Sequence, residues 1–302
     1  MQAYIGVTDR EWFGLLRNLP HLEEINFWQP SGNTQFRALN PGELFLFKLH
    51  SPYNFIVGGA FFAYSSILPI SLAWETFQEA NGARNLLEMR SRVAKYRHPS
   101  DEKSIDYKIG CILLEQPFFF PENSWIAVPS DWKSNIVQGR RYDLATEPGL
   151  TLWNRLHLNM LLSPPVRDEA RYGEPVLTLP RLGQGSFRVM VTDAYERRCA
   201  LTNEKTLPAL DTAHIKPYSE SGQHIVSNGI LLRRDLHALF DKGYITITPS
   251  NKVEVSHRIK EEFENGRDYY RLHGSTIRLP HKIADHPSRD FLEWHNSNIY
   301  LG

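Results

Sequence analysis

Short apolar runs mixed with punctuation make up roughly the first 140 residues: ELFLFKL (43–49), NFIVGGAFFAY (54–64), YKIGCILLE (107–115) and SWIAVP (124–129). Bounded by NPG, SPYN and QPFFFPEN turn signals, these runs predict strands of a small curled sheet or barrel. Between the second and third runs, SLAWETFQEANG and NLLEMRSRVAKY carry apolar residues at three- and four-residue intervals, the spacing of a helix with one buried face. A further helix is predicted to open the chain, with Thr8 or Asp9 as its cap and Trp12, Leu15 and Leu16 facing inward.

The pattern changes over residues 144–185, where Pro, Gly and charge concentrate after one short apolar helix. That change marks a boundary. The expected organisation is a domain over 1–145, a linker with a short helix over 146–185, and a second domain over 186–302. A helix close to GSFRVMVTDAYERR opens the second domain, and no internal repeat or low-complexity tract interrupts either one.

Composition narrows the picture. A chain of 302 residues that is 41% hydrophobic can bury two modest cores. Lysine plus arginine equal aspartate plus glutamate at 34 each, so any attraction to phosphate must come from local clusters rather than a global field. The two cysteines, Cys111 and Cys199, have no second cysteine nearby, which argues against a disulfide framework. No leader-like segment begins the chain and no apolar stretch approaches the ~20 residues of a membrane span, so a soluble, cytoplasmic protein with no membrane partner is expected. Histidine is the uneven component: eight of twelve lie after residue 180.

The chemistry concentrates in LDTAHIKPYSESGQHIVSNGILLRRDLHALFDKG, residues 210–243. LPALDTAHI predicts a strand ending on His214, and SNGILL puts Asn228 and Gly229 in a turn before a second strand. RRDLHALFDKG predicts a helix closed by Lys242 and Gly243. On that helix His237 and Asp241 are four residues apart, so they share a face and two metal-binding side chains can meet one ion. An imidazole plus a carboxylate suits Mg2+, Mn2+, Ni2+ or Zn2+ without selecting among them. His214 lies 23 residues before His237, close enough for a hairpin to bring both to one site, where a neutral imidazole can take a proton from water. Taken singly, each feature has an ordinary structural reading, and the joint order and spacing make the chemistry. The later residues His257, His273, His281, His286 and His295 show no such arrangement and are expected on the surface or in packing.

The run A-H-I, then N-G fourteen residues after the histidine, then D-L-H-x-x-F-D-x-G, resembles the HNH endonuclease family and its ββα-metal fold. The resemblance implies that His214 is the general base, that Asn228 ties the loop together, and that His237 is a metal ligand, with Asp241 one turn later as a second. Many members place Asp or His before the base histidine as a further ligand. Ala213 stands there in this chain, and Asp211 is the nearest carboxylate that could reach the metal or orient His214, although strand alternation points it away from residue 214. Cys199, in RRCALTNEKT, resembles the knuckle that holds a structural zinc in some members. Without partner cysteines no zinc is expected there. Arg233 and Arg234 at the helix start are candidates for flanking phosphates, as are Arg197, Arg198, Lys205 and Lys216.

Upstream, NFWQPSGNTQFRALNPGELFLFKLHSPYNFIVGGAFF resembles the PUA-like superfamily, which includes EVE and ASCH domains, through W-x-P-S, a P-G-E turn and I-V-G-G. The resemblance implies a pocket for a modified base or nucleotide near Phe27, Trp28 and Ser31, with Trp74 a second wall. The fold class expected is therefore α+β: a PUA-like small β-barrel with flanking helices, then a ββα-metal HNH domain. The layout resembles that of bacterial modification-dependent restriction endonucleases and implies a metal-dependent enzyme cutting DNA that carries modified cytosine. Alternatives are an HNH nuclease acting on RNA or gated by a nucleotide, and a nucleic-acid-binding protein with a decayed nuclease. Cutting both strands is compatible with a homodimer or with sequential nicking.

Overall fold

The computed structural model describes residues 1–97, 105–162 and 183–302. The chain divides into two compact units, Met1–Gly183 and Gln184–Gly302. The fold is α+β, with a sheet-rich first unit and a second unit of short strands and helices.

The first unit contains β1 (Gln2–Thr8), α1 (Arg10–Leu16), β2 (Glu24–Gln29), β3 (Leu44–Leu49), β4 (Phe55–Pro69), α2 (Ile70–Phe77), α3 (Leu86–Ala94), β5 (Lys108–Phe119), β6 (Ile126–Ala127), β7 (Gly139–Asp143) and α4 (Gly149–Leu162). Among the described residues seven strands form one sheet in the order β2-β5-β4-β3-β1-β7, with β6 added to β4. β3 is buried along its whole length between β1 and β4, which accounts for its largely apolar run, and its one charged residue, Lys48, donates through Nζ to Asn54 Oδ1 at 2.8 Å. β4 shifts register at Gly59/Phe61 and Phe62/Tyr64, and such bulges bend and twist a long strand. Core residues lie in two clusters. In one, Trp12 meets Phe27 and Phe47 edge-on at 5.3 and 5.2 Å; the other gathers Ile5, Leu46, Ile56 and Phe118.

A strand, not a helix, opens the chain: β1 precedes α1 and runs parallel to β3 and antiparallel to β7. Its buried residues do not alternate strictly, so the period-two signal is weak. The helix that follows is capped by Asp9, whose Oδ1 accepts from the Trp12 amide at 2.6 Å. It buries Trp12, Phe13 and Leu16, and Leu15 only in part. The helix over Gly149–Leu162, expected within a linker, packs Leu152 and Leu156 into the first unit's second core cluster. Residues 163–182 of that expected linker lie outside the described residues. Among the described residues no helix is long and apolar enough to cross a membrane.

The second unit runs α5 (Gln184–Ala194), β8 (Leu210–His214), β9 (Gly229–Arg233), α6 (Arg234–Asp241), β10 (Ile245–Ile247), β11 (Val253–Val255), α7 (Arg258–Phe263), α8 (Arg267–Tyr270) and α9 (Arg289–Asn298). β8 and β9 form one two-stranded ribbon, β10 and β11 another. The unit has its own core, in which Phe187 and Val191 from α5 and Tyr195 just after it join Ile230 and Leu232 from β9 and Leu236 and Phe240 from α6.

Candidate active site

The site begins with register. β8 and β9 pair antiparallel so that His214 stands opposite Gly229. A Cβ on Gly229 would collide with Val191 and come within 2.9 Å of Phe187 Cζ. Glycine is required there because the Phe187 ring crosses this point to stack on His214, with ring centres 4.1 Å apart and planes within 17°.

The loop between the two strands is braced by Asn228, which is fully buried. Its Oδ1 accepts from the Lys216 amide, and its Nδ2 donates to the carbonyls of Lys216 and Gln223, each at 2.9 Å. Asn228 is absent from the cavity wall, so its part is to hold the loop that follows His214.

α6 leaves β9 directly and ends with Gly243 at φ +76°. The Gly243 amide donates to Phe240 and the Tyr244 amide to Leu239, closing the helix as a left-handed C-terminal cap does. The helix therefore presents His237 and Asp241 on one face, and His237 Nε2 lies 3.2 Å from Asp241 Oδ2. On the ring's other side Nδ1 lies 3.3 Å from Asp211 Oδ2.

His214, His237, Asp211 and Asp241 all line one cavity of about 460 Å³. Asp211 does not pair with His214. It serves His237, and both strand residues line the same cavity. Ala213 is wholly buried in the core, so this position supplies no ligand, and the carboxylate comes from two residues earlier.

The two imidazoles differ in charge. Burial, with help from the neighbouring His224 and His237, lowers the pKa of His214 to about 4, so it is neutral at pH 7. Its Nε2 is buried with no hydrogen-bond partner. Burial also works against protonation of His237, but its hydrogen bonds to Asp211 and Asp241 outweigh burial and raise its pKa to about 9. Asp211 is desolvated too, yet the His237 hydrogen bond holds its carboxyl below the usual range.

The donor chemistry fits a divalent cation, with imidazole nitrogen and carboxylate oxygens the available groups. The three side chains are strung along the His237 ring, and among the described residues no group of three His, Cys, Asp or Glu stands ready as a metal cage.

Other expected residues fall elsewhere. Arg233 is committed to Asp235 through contacts of 3.0 and 2.5 Å, and Arg234 is exposed; neither lines the cavity. Lys216 sits 5.3 Å from the centre of the Trp294 ring. His295 is buried, stacked on Phe240 at 3.8 Å and bonded to Thr246 Oγ1 at 2.8 Å; it packs α9 against α6 and also contributes to the cavity wall. Cys111 and Cys199 are both buried, and Cys111 Sγ accepts from Asn26 Nδ2 at 3.4 Å. In the first unit Phe27 is a core residue, packed between Trp12 and Phe45, and its ring faces are not open to a base. Trp28 is half-buried with Nε1 donating to Asn81 O at 3.0 Å, and its ring lies 6.4 Å from that of Tyr96. Ser31 is exposed, Trp74 half-buried on α2, and among the described residues no ring contact joins Trp74 to Trp28.

Sequence reasoning missed Gln184, Phe187 and Arg188, all on the cavity wall. Their spacing of i, i+3 and i+4 on α5 was the available signal. It also missed His224 and Tyr218, whose rings lie 4.7 Å apart in the loop that Asn228 braces.

A short antiparallel ribbon, a loop cross-braced by asparagine and a helix carrying a histidine–carboxylate pair define a ββα nuclease centre. Residues 199–248 match the family model of the HNH endonucleases, and this part of the chain is an HNH endonuclease domain. Among solved structures the chain is similar to ASCH from Zymomonas mobilis, with 11% identity over 50% of this chain and 94% of that one, at a TM-score of 0.34. A mutant of that protein is similar at 11% identity over 50% and 96% of the two chains, with a TM-score of 0.32. The modification-dependent restriction endonuclease TagI is similar at 14% identity over 97% of this chain and 81% of that one, with a TM-score of 0.28. No curated protein matches the chain.

Proposed function

We propose that the protein is a divalent-metal-dependent endonuclease that hydrolyses DNA phosphodiester bonds, and that its N-terminal unit selects DNA carrying a modified base. The observation that carries the hydrolytic part is a single cavity lined by a neutral histidine, His214, and a carboxylate-held histidine, His237. Phosphodiester hydrolysis needs those two capacities, a proton acceptor and a place for positive charge.

His214 is the general base, held by Phe187 and taking a proton from the attacking water at the unpartnered Nε2. His237 and Asp241 would hold the cation, and Asp211 orients the His237 ring through Nδ1, as carboxylates behind metal-bound histidines do. Bound there, the cation supplies charge stabilisation for the phosphate and the leaving oxygen. Asn228 keeps the loop after His214 in place.

The selective part rests on the sequence resemblance of the N-terminal unit and on Trp28 and Ser31, which remain partly or fully accessible where Phe27 does not. A flat, half-open indole beside a polar loop suits stacking on an extruded base.

Plasmid cleavage with Mg2+, Mn2+, Ni2+ or Zn2+, comparing wild type with His214→Ala, tests the first part. Cleavage by the wild type and loss of at least a hundredfold in the variant is expected, and equal rates would remove His214 from the mechanism. Duplexes with cytosine, 5-methylcytosine or 5-hydroxymethylcytosine test the second, which fails if all three are bound and cut alike.

A further inference from the structure

We infer that Arg188, which lies outside the segment 199–248 that carries the nuclease motif, is a catalytic residue that binds the non-bridging oxygens of the scissile phosphate. This rests on the nuclease reading above and adds a member to its machinery from a different element.

The cavity wall is built from Gln184, Phe187 and Arg188 of α5 on one side and from the ribbon, its loop, α6 and the C-terminal helix on the other. Among the described residues lining it, Arg188 is the one lysine or arginine. A phosphodiester entering this space carries a full negative charge past two carboxylates, Asp211 and Asp241, and its repulsion from them must be offset. The arginines singled out by sequence do not meet that need, since Arg233 is clamped by Asp235 and Arg234 lies off the wall.

Placement of Arg188 follows from two constraints. The turn of helix from Gln184 to Arg188 puts residues 184, 187 and 188 on one face, so the side chain that stacks on the general base and the guanidinium come from adjacent positions. The helix is also tied to β8, because Thr212 Oγ1 donates to the Arg188 carbonyl at 3.5 Å. The guanidinium is mostly buried, at 21% side-chain exposure, with Nε 3.8 Å from Asp211 Oδ1. Asp211, the carboxylate beside the guanidinium, is also the one that orients His237. Arg188 and His237 thus flank one carboxylate, which sets both toward the same phosphate.

Guanidinium geometry matches two phosphate oxygens at once and stays charged throughout. In the reaction the water oxygen forms a bond to phosphorus as His214 takes its proton, the bond from phosphorus to the leaving deoxyribose oxygen breaks, that oxygen takes up a proton from solvent, and His214 returns its own proton to solvent. Arg188 transfers nothing; it stabilises charge that grows on the non-bridging oxygens.

The test begins by mapping the cut of the wild type on a defined duplex, then placing a charge-neutral methylphosphonate at that position. On the ordinary phosphodiester, Arg188→Ala should lower kcat by about 10²- to 10³-fold with KM changed little, and Arg188→Lys should recover part of the loss. On the methylphosphonate, the gap between wild type and Arg188→Ala should shrink to less than about tenfold, because the interaction with the missing charge is gone. Arg188→Gln, with an unchanged thermal midpoint, guards against a loss that merely reflects disturbed packing next to Asp211. If wild type cuts and Arg188→Ala cuts at a similar rate, or if the gap is the same on both substrates, Arg188 is only a counter-ion to Asp211 and this inference is overturned while the nuclease reading stands. A wild type that cuts no DNA with any of the four cations sinks both.

Discussion

Burial at His214 disfavours the charged imidazole, while the same degree of enclosure at His237 is overcome by two carboxylates. These opposite shifts have opposite linkage to stability. His237, with its pKa raised from 6.5 to about 9, contributes stability that is complete below about 6.5 and is lost as pH climbs through about 9. His214 and the packed His295, both lowered from 6.5 to about 4, contribute stability that is complete above about 6.5 and is lost as pH falls toward 4. Without added metal, the thermal midpoint should therefore peak near pH 6.5 in these rings' contribution, and His237→Gln should remove the decline on the alkaline side. A midpoint that rises steadily from pH 6.5 to 9 would contradict the Asp211–His237–Asp241 arrangement. The same proton opposes a cation at His237, so Mn2+ affinity should increase by about tenfold per pH unit between 6 and 8, with proton release measurable by calorimetry in buffers of different ionisation enthalpy. Chelation should abolish cleavage and return the pH–stability curve to its metal-free form. At Asn228 three hydrogen bonds converge on one buried amide, and Asn228→Ala strands two carbonyls and an amide. A loss of roughly 3 kcal/mol is expected from chemical denaturation, together with slower cleavage.

Among the elements, the ribbon and α6 carry the site, and two glycines define their geometry. Gly229→Ala places a methyl group against Val191 and Phe187, so the ring beneath His214 must shift. Cleavage should fall more than stability does, measured as kcat against thermal midpoint, because Phe187 positions the base while the rest of the core is untouched. Gly243→Ala is strained by its left-handed φ of +76° and also meets the Ile299 carbonyl, so its main effect should be on stability. The order strand, loop, strand, helix was legible over 210–243 because its signals are local: a run ending on His214, an Asn-Gly pair, and a histidine and aspartate one helical turn apart. In the first unit β3, β4 and β5 were legible from largely apolar runs, whereas β1, β2 and β7 were not. Their sequences mix buried and less buried positions without a regular period, since β2 and β7 end the sheet and β1 packs differently on its two faces.

For the whole molecule, the two units have separate cores, with Phe187, Leu236 and Phe240 in one and Trp12, Phe45 and Phe47 in the other. Residues 184–302 made alone should unfold cooperatively in a thermal scan and should cut modified and unmodified duplexes equally if the N-terminal unit is the selector. Retained discrimination by the shorter protein would move recognition into the nuclease unit. The sequence by itself determined the chemical inventory and the identity of the nuclease motif, because His214, Asn228, His237 and Asp241 are linked by short-range geometry that helix and hairpin periods encode. Only the tertiary structure decided which carboxylate meets which ring nitrogen, that Phe27 lies in a core, and that Phe187 and Arg188 enter the site from α5, 27 and 26 residues before His214. Contacts of that kind depend on how separate elements pack, and no periodicity within one element records its neighbour.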